Sequence, residues 1–213
     1  MNTNKKILVI TPSLPFPATG AEQADRAWGL IQLKNLGYNV KVIAKLVAWQ
    51  SQDQVKETEK KIGIAIITVP YKFSNKTLTF KDSVKKILLK IYNPFLLDGA
   101  ALEYAEPEIK KILEKELATW QPDIVWFDYT YLWPLYGTVR KQKIPIITRS
   151  INYEPIHFLQ EDGYTFFNLL KSAPKFFSEF LSSLKSDHIF AITPKEEKIY
   201  RKMNKQVSTL PLR

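Results

Sequence analysis

The sequence predicts a doubly wound α/β domain with a mainly parallel sheet, and three observations support this. Short apolar runs, of which residues 7–10 are the first, recur along the chain and are typical of strands buried on both faces. Segments with apolar residues at helical spacing separate these runs. No internal repeat or low-complexity tract interrupts the alternation. We therefore predict that residues 1–213 form one domain.

Residues 5–44 predict a strand, a proline-rich loop, a helix and a second strand. The loop prolines, Pro12, Pro15 and Pro17, exclude a helix directly after the first strand. The helix is predicted to bury one apolar stripe, formed by Ala24, Ala27, Trp28 and Ile31. Gly37 suits the left-handed position after its last turn. The segment is thus a βαβ unit, the building block of an open α/β sheet.

The rest of the chain continues the alternation. Further strands are predicted at residues 62–69, 124–127, 144–148, 188–193 and 207–211. Helices are predicted at residues 100–120 with a break at Pro107, at 129–142 weakened by Pro134, at 156–184 interrupted near Pro174, and at 194–203. Residues 47–61 predict a surface loop or a short helix. We expect seven strand residues to be buried: Ile7, Val9, Val125, Phe127, Ile146, Phe190 and Ile192.

Composition excludes several classes of function. The chain has no cysteine, which excludes disulfides and thiolate metal sites, and its two histidines lack ligand-like spacing. No G-x-G motif occurs among the seven glycines and no G-K-[ST] occurs at all, which argues against dinucleotide oxidoreductases and P-loop NTPases. No apolar run approaches the roughly 20 residues that span a bilayer. No metal or cofactor is expected.

The net charge of +10 calls for an anionic partner or reflects a lysine-rich composition. Lysine dominates and no nucleic-acid motif is present, so nucleic acid is not expected. One segment carries an apolar stripe, Val84, Ile87, Leu88, Ile91 and Phe95, with lysines mostly off it, Lys81, Lys85, Lys86 and Lys90. This helix either lies on an anionic membrane or, the favoured alternative, packs its stripe on the sheet.

A second apolar group, Phe166, Phe167, Phe176, Phe177 and Phe180, is more typical of a core. It could instead form a partly exposed wall for an apolar acceptor or a membrane. The sequence leaves both alternatives open.

Topology selects a candidate site, because open α/β sheets bind ligands beyond the carboxyl ends of their strands. Five polar residues fall there, Glu22, Asp128, Arg149, Asn152 and Glu154, and His157 lies one turn further on. Each also has a local explanation. Glu22 suits a helix N-terminus, Asp128 could cap the following helix, and Arg149 could pair with Glu154.

Several segments resemble family 4 glycosyltransferases. The opening strand, the proline loop ending in Gly20, Ala21 and Glu22, and the run L-x-x-L-G-Y-x-V-x-V at residues 33–42 resemble the start of that family. Residues 144–154 resemble its strand ending in Arg-x-His-Asn-x-Glu, with Ile151 at the histidine position. Residues 186–196 resemble its A-D-x-I-x-x-x-S-x-x-E segment, with Asp187, Thr193 and Glu196 in register, and residues 207–212 resemble the strand before its interdomain linker.

The resemblance implies one Rossmann-like half of a GT-B architecture, in which two such domains face each other across a cleft. Residues 1–213 would be the N-terminal, acceptor-binding half of a retaining glycosyltransferase that uses a nucleotide-sugar as co-substrate. The implied acceptor contacts are Glu22, Asp128, Arg149, Asn152 and Glu154, and Gly20 and Ala21 would approach the donor diphosphate. The family implies no obligatory protein nucleophile, so His157 is only a weak catalytic candidate.

Further expectations follow from the resemblance. The acceptor would be a glycan or a lipid-linked sugar, as in polysaccharide biosynthesis, and the protein would be cytoplasmic or peripheral at the inner membrane face. The domain that holds the donor would be absent, so the isolated chain would be inactive. Alternatively, the chain is a non-catalytic or split-subunit module that pairs with a separate donor-domain chain, or a piece of a longer protein.

Overall fold

The computed structural model describes residues 4–18, 20–47, 49–70, 84, 87–88, 91 and 97–211. These residues form a seven-stranded sheet in the order β3-β2-β1-β4-β5-β6-β7, and every pair of neighbours is parallel. The strands are β1 Lys6–Thr11, β2 Asn39–Leu46, β3 Ala65–Pro70, β4 Ile124–Phe127, β5 Ile146–Arg149, β6 His188–Ala191 and β7 Val207–Thr209. The predicted doubly wound, parallel α/β fold is confirmed.

Helices connect the strands, as parallel pairing requires. They are α1 Ala21–Asn35, α2 Gln52–Ile62, α3 Gly99–Glu103, α4 Pro107–Thr119, a 3₁₀ helix Thr130–Leu135, α5 Tyr136–Lys141, α6 Glu154–Asp162, α7 Phe166–Lys185 and α8 Pro194–Tyr200. The predicted break at Pro107 is confirmed, because this proline opens α4. Pro134, which was expected to weaken the helix predicted at residues 129–142, lies in the 3₁₀ helix that precedes α5.

Both faces of the sheet are covered by apolar side chains. Leu8 and Ile10 of β1 point to one core, which they share with residues of α4 and α5. Ile7 and Val9 alternate to the other core, which also contains Leu30 of α1. This two-sided burial explains why the strands are apolar throughout.

Five of the seven residues predicted to be buried are buried, and the prediction is wrong for the other two. Phe190 is half-buried because it points to the face of β6 opposite Ile189 and Ala191, where its ring stacks on Trp126 at 5.4 Å. Ile192 is half-buried because it lies just beyond the end of the strand.

Three helix boundaries and faces differ from the predictions. α2 extends to Ile62 and ends at Gly63, whose φ of 61° terminates it, so β3 begins at Ala65. The break predicted near Pro174 occurs at Gly163 instead, and α7 continues through the proline. The stripe predicted for α1 is wrong in part, because Trp28 is 56% exposed. The buried residues of this helix are Asp25, Arg26, Ala27 and Leu30.

The two apolar groups of uncertain role are exposed. Phe166, Phe167, Phe176, Phe177 and Phe180 lie on the outer face of α7, so the core interpretation is wrong for them. Val84, Ile87, Leu88 and Ile91 are also exposed, which contradicts packing of these four on the sheet. The remaining residues of that prediction, Lys81, Lys85, Lys86, Lys90 and Phe95, lie outside the described residues. Among the helices the structure describes, none combines the length and apolarity needed to cross a bilayer.

Candidate functional site

The strand order places the topological switch point between β1 and β4, where the connections diverge to opposite sides of the sheet. The proline loop that follows β1 is fixed by side chains from outside it. Gln50 Nε2 donates hydrogen bonds to the carbonyl oxygens of Leu14 and Phe16, at 3.0 and 2.9 Å. Tyr104 Oη donates to the carbonyl of Pro12 at 2.6 Å. The loop therefore forms a defined wall at the carboxyl edge of the sheet.

Four buried charged residues meet at this edge. Asp25 and Arg26 project from α1, Asp128 follows β4, and Arg149 ends β5; each is at most 4% exposed. Arg149 Nη1 pairs with Asp25, and Arg26 Nη2 pairs with Glu22. The structure thus brings the predicted residues Glu22, Asp128 and Arg149 together, through Asp25 and Arg26. Their predicted role in acceptor binding stays a prediction.

The charges of this cluster nearly balance without Asp128. The carboxylates of Glu22 and Asp25 offset the guanidiniums of Arg26 and Arg149. Burial raises the pKa of Asp128, although both guanidiniums and the hydrogen bond from Trp126 Nε1, at 2.9 Å, act to lower it. Asp128 is therefore a carboxyl group that holds a proton more readily than an exposed aspartate.

In the described part of the chain, both arginines have buried N–H groups that make no hydrogen bond. Among the described residues, Arg149 Nε and Nη2 and Arg26 Nε have no hydrogen-bond partner. Arg26, Asp128 and Arg149 line a small pocket of about 70 Å³ beside Trp126. Leaving buried N–H donors unpaired costs about 1–3 kcal/mol each, so an oxygen acceptor that reached these groups would stabilise the cluster.

A second cleft lies at the carboxyl ends of β5 and β6. Asn152 and His157 line it together with Thr193, Lys195 and Glu196, and its volume is about 130 Å³. Glu196 Oε1 accepts a hydrogen bond from Tyr153 N at 2.9 Å, which links the loop after β5 to helix α8. His157 Nε2 lies 3.3 Å from Glu161 Oε1. The predicted residues Asn152 and His157 therefore occupy this cleft and not the arginine pocket.

Glu154 lies at the border of the arginine cluster. Tyr129 Oη donates a hydrogen bond to its carboxylate, and the Arg26 guanidinium lies 5.7 Å from the centre of the Tyr129 ring. The local pairing suggested for Arg149 and Glu154 is absent, because Arg149 pairs with Asp25 and Glu154 lies 3.5 Å from Lys175 Nζ. The suggested capping role of Asp128 is also wrong, since its carboxylate accepts from Trp126.

The N-terminus of α1 was predicted to approach a diphosphate through Gly20 and Ala21. Gly20 is the N-cap residue, and no side chain among the described residues caps the first turn. Its backbone is extended, with a φ of −153°, so the conformation itself does not require glycine. A Cβ atom there would lie 2.8 Å from Gln23 Oε1, at the end of a flexible side chain. The diphosphate contact stays a prediction.

Sequence reasoning missed Asp25 and Arg26. Charged residues in a helix ordinarily lie on its solvent face, and the four apolar residues predicted to form the buried stripe indicated a different face of α1. A signal was present, because Arg26 falls four residues before Leu30 and seven before Leu33, on the same helical face. Leu30 is buried and Leu33 packs against the core below the pocket.

Comparisons with known proteins identify the fold. No family model matches the sequence, and no curated protein matches it significantly. The structure resembles sucrose-phosphate synthase from Thermosynechococcus elongatus, with a TM-score of 0.63, 10% identity, and coverage of 97% of this chain and 48% of that one. It also resembles UGT89C1 from Arabidopsis thaliana complexed with UDP, with a TM-score of 0.55, 16% identity, and coverage of 98% of this chain and 49% of that one.

A third similar structure is UDP-GlcNAc 2-epimerase from Neisseria meningitidis bound to UDP-GlcNAc, with a TM-score of 0.54, 14% identity, and coverage of 96% and 45%. The chain thus spans about half the length of each of these proteins. At these identities the likeness concerns the fold alone. It is that of one Rossmann-like half of a GT-B architecture.

Proposed function

We propose that the chain is the acceptor-binding half of a retaining glycosyltransferase of family 4, which transfers a sugar from a nucleotide-sugar to a glycan or a lipid-linked acceptor. The fold is compatible with this role, and the sequence segments at residues 144–154 and 186–196 support it. The observation that carries the proposal is the pocket at the switch point. There, two buried guanidiniums retain unpaired N–H donors beside a carboxyl group whose pKa is raised by burial.

An acceptor sugar presents hydroxyl groups that both donate and accept hydrogen bonds. A shift of the Arg26 and Arg149 side chains would let their spare N–H groups donate to hydroxyl oxygens, and Asp128 and Glu154 would interact with hydroxyl hydrogens or oxygens. Asn152, in the neighbouring cleft, would contact a second part of the acceptor. These groups would bind and orient the acceptor, and none of them is proposed as the catalytic base.

The donor requires a further binding surface. We propose that a second domain, further along the same protein or on a separate chain, holds most of the nucleotide-sugar. The half-length coverage of the similar structures supports this. The first turn of α1 would contribute to the diphosphate, but one helix N-terminus at the surface adds only about 0.3–1 kcal/mol. No cofactor beyond the co-substrate is proposed.

Calorimetric and NMR titrations of this chain test the proposal. We expect oligosaccharide acceptors to bind weakly and to shift the signals of the switch-point pocket, whereas nucleotide-sugars bind more weakly still. Asn152→Ala and Glu154→Ala should each weaken acceptor binding about fivefold to more than a hundredfold, because one polar contact contributes about 1–3 kcal/mol. The melting temperature of Asn152→Ala should barely change, whereas Glu154→Ala also removes the acceptor of the buried Tyr129 hydroxyl and should lower it by about 2–12 °C.

Asn39→Ala is the matched control, because Asn39 is an exposed amide at the amino end of β2, on the opposite edge of the sheet. It should leave acceptor binding unchanged. Tight 1:1 binding of a nucleotide-sugar to this chain would contradict the proposal that a second domain holds most of the donor. Unchanged acceptor binding in both site variants would remove the proposed site and leave only the fold.

A further inference from the structure

Three short contacts link helix α7 to the segment that follows β5. Glu179 Oε2 lies 2.7 Å from Tyr200 Oη, which lies 2.6 Å from Ser150 Oγ. Ser150 Oγ in turn lies 2.8 Å from the carbonyl oxygen of Asn152. Glu179, Tyr200 and Ser150 are at most 1% exposed. The distances are those of hydrogen bonds between oxygen atoms, so each of the three contacts, which we call the Glu179 network, requires one hydrogen.

An ionised Glu179 leaves this network one hydrogen short. A hydroxyl group supplies one hydrogen and a carboxylate supplies none, so Tyr200 and Ser150 together supply two hydrogens for three contacts. When Tyr200 donates to Glu179, the single hydrogen of Ser150 has to serve both Tyr200 and the Asn152 carbonyl. One of these two contacts then joins oxygen atoms that present only lone pairs to each other. The described geometry therefore does not fit the ionised form.

A protonated Glu179 supplies the missing hydrogen. Its Oε2–H group donates to Tyr200, Tyr200 donates to Ser150, and Ser150 donates to the Asn152 carbonyl. The other oxygen, Oε1, is then the carbonyl oxygen of a neutral acid. It accepts hydrogen bonds from Thr130 Oγ1 at 2.9 Å and from Glu154 N at 3.2 Å. A carboxylic acid with one donor and a free carbonyl oxygen thus satisfies every contact of Glu179.

The groups around Glu179 also favour the neutral acid. Burial, aided by the negative charge of Glu154 on α6, raises the pKa of Glu179 to about 8, although its hydrogen bonds act to lower it. Lys175 on α7 lies 3.5 Å from Glu154 Oε2 and so partners that carboxylate. The other titratable groups that interact with Glu179 or with Tyr200 are neutral or acidic, namely Tyr136 of α5, Tyr153 before α6, and Glu196 of α8.

The network ends in the segment that carries two residues of the candidate site. Ser150 holds the backbone of Asn152, and Glu179 holds the first N–H group of α6 at Glu154. When Glu179 loses its proton, Ser150 has to give up its bond to Tyr200 or its bond to Asn152. The new negative charge also repels the Glu154 carboxylate. Residues 150–154 must therefore change position relative to α7 and α8.

We infer that Glu179 is a positioning residue of the candidate site, and that its proton holds residues 150–154 in the arrangement described above. The switch is an acid dissociation: the O–H bond of Glu179 breaks, its electron pair stays on the carboxylate, and the proton passes to water. The inference about the segment does not depend on what the site binds. Its consequence for the acceptor, weaker contacts of Asn152 and Glu154 above about pH 8, rests on the proposed function.

Carbon-13 NMR of the whole chain, titrated from neutral pH through the range around pH 8, tests the inference. The carboxyl carbon of Glu179 should report a neutral acid at neutral pH and a carboxylate at the end of the titration. The Cβ resonance of Ser150 should shift with the same midpoint, because its hydroxyl group loses one of its two bonds. The carbonyl carbon of Asn152 then shows which of the two bonds is lost.

Two variants separate the network from a general effect of pH. Glu179→Gln keeps a donor for Tyr200 and does not titrate, so the Ser150 resonance should stay at its neutral-pH position throughout. Tyr200→Phe removes the middle of the network, so Glu179 should still titrate but the Ser150 resonance should no longer follow it. Glu161→Gln is the matched control, because it removes an exposed carboxylate of α6 and should behave like the wild type.

Three results would overturn the inference. The first is an ionised Glu179 in the folded protein at neutral pH. The second is a constant Ser150 resonance while Glu179 titrates in the wild type. The third is a Ser150 response in Tyr200→Phe equal to that of the wild type, because the field of the new charge would then suffice without the network. The measurement needs no ligand, so a failure of oligosaccharides to bind would remove the proposed function and leave this inference in place.

Discussion

Glu179 is a buried carboxyl group that should make the stability of the domain depend on pH. It is fully buried and accepts hydrogen bonds from Tyr200 Oη at 2.7 Å, Thr130 Oγ1 at 2.9 Å and Glu154 N at 3.2 Å. Burial raises its pKa to about 8, although all three hydrogen bonds act to lower it. The folded protein therefore retains a proton on Glu179 at pH values where the unfolded chain has released it.

The direction of the effect follows from proton linkage. Between the ordinary pKa of 4.5 and about 8, the folded state binds more protons than the unfolded state, so the free energy of unfolding falls as the pH rises. At 1.36 kcal/mol per pKa unit, the full change is about 5 kcal/mol. For a domain of this size, about 2–4 °C per kcal/mol converts this to roughly 10–20 °C in melting temperature.

Glu179→Gln isolates this contribution. The glutamine carbonyl can accept from Thr130 and Glu154 N, its amide can donate to Tyr200 Oη, and it does not titrate. Thermal unfolding followed by circular dichroism across this pH range should show the wild type losing stability relative to the variant as the pH rises. Glu161→Gln, which removes an exposed carboxylate of α6, should parallel the wild type. Parallel curves for wild type and Glu179→Gln would refute the reasoning.

Two further predictions concern lysines. Lys45 is fully buried, pairs with Glu103 and lies 3.0 Å from Glu106 Oε2, so Lys45→Met should lower the free energy of unfolding in urea by about 3–5 kcal/mol because it leaves buried carboxylates uncompensated. An unchanged midpoint would contradict this. Replacing Lys81, Lys85, Lys86 and Lys90 by Gln should weaken co-sedimentation with vesicles of equal parts phosphatidylcholine and phosphatidylglycerol by about 1 kcal/mol per charge near the surface, and salt should weaken that of the wild type in the same way. Equal sedimentation of both proteins would remove these lysines from the membrane surface.

The fold was predictable because its signals are local. Residues 7–10 and 124–127 are apolar throughout, as strands covered on both faces must be, and Pro107 and Gly37 mark helix ends through fixed backbone preferences. The carboxyl edge was also predictable, since topology alone places Asp128 and Arg149 there. Local sequence patterns did not predict the burial of Asp25 and Arg26, because that burial depends on their pairing with residues distant in sequence or across a helical turn.

The orientation of α7 shows why helical periodicity alone does not predict which face of a helix is buried. Helical periodicity predicts that its phenylalanines share a face, but the same periodicity results whether that face points inward or outward. The outcome depends on bonds between distant residues. The hydrogen bonds from Ser178 to Asp98 and from Thr130 to Glu179 form only when Ser178 and Glu179 face the core.

The bonds that orient α7 also hold the edge of the candidate site. Glu179 joins Thr130, which follows β4, to the first N–H of α6, and its second oxygen accepts from Tyr200 Oη. Tyr200 Oη in turn shares a 2.6 Å hydrogen bond with Ser150 Oγ, in the loop after Arg149. One buried carboxyl group therefore connects α7 to the loops that follow β4 and β5. A displacement of α7 at Glu179 would therefore disturb both loops, because the same carboxyl group holds them.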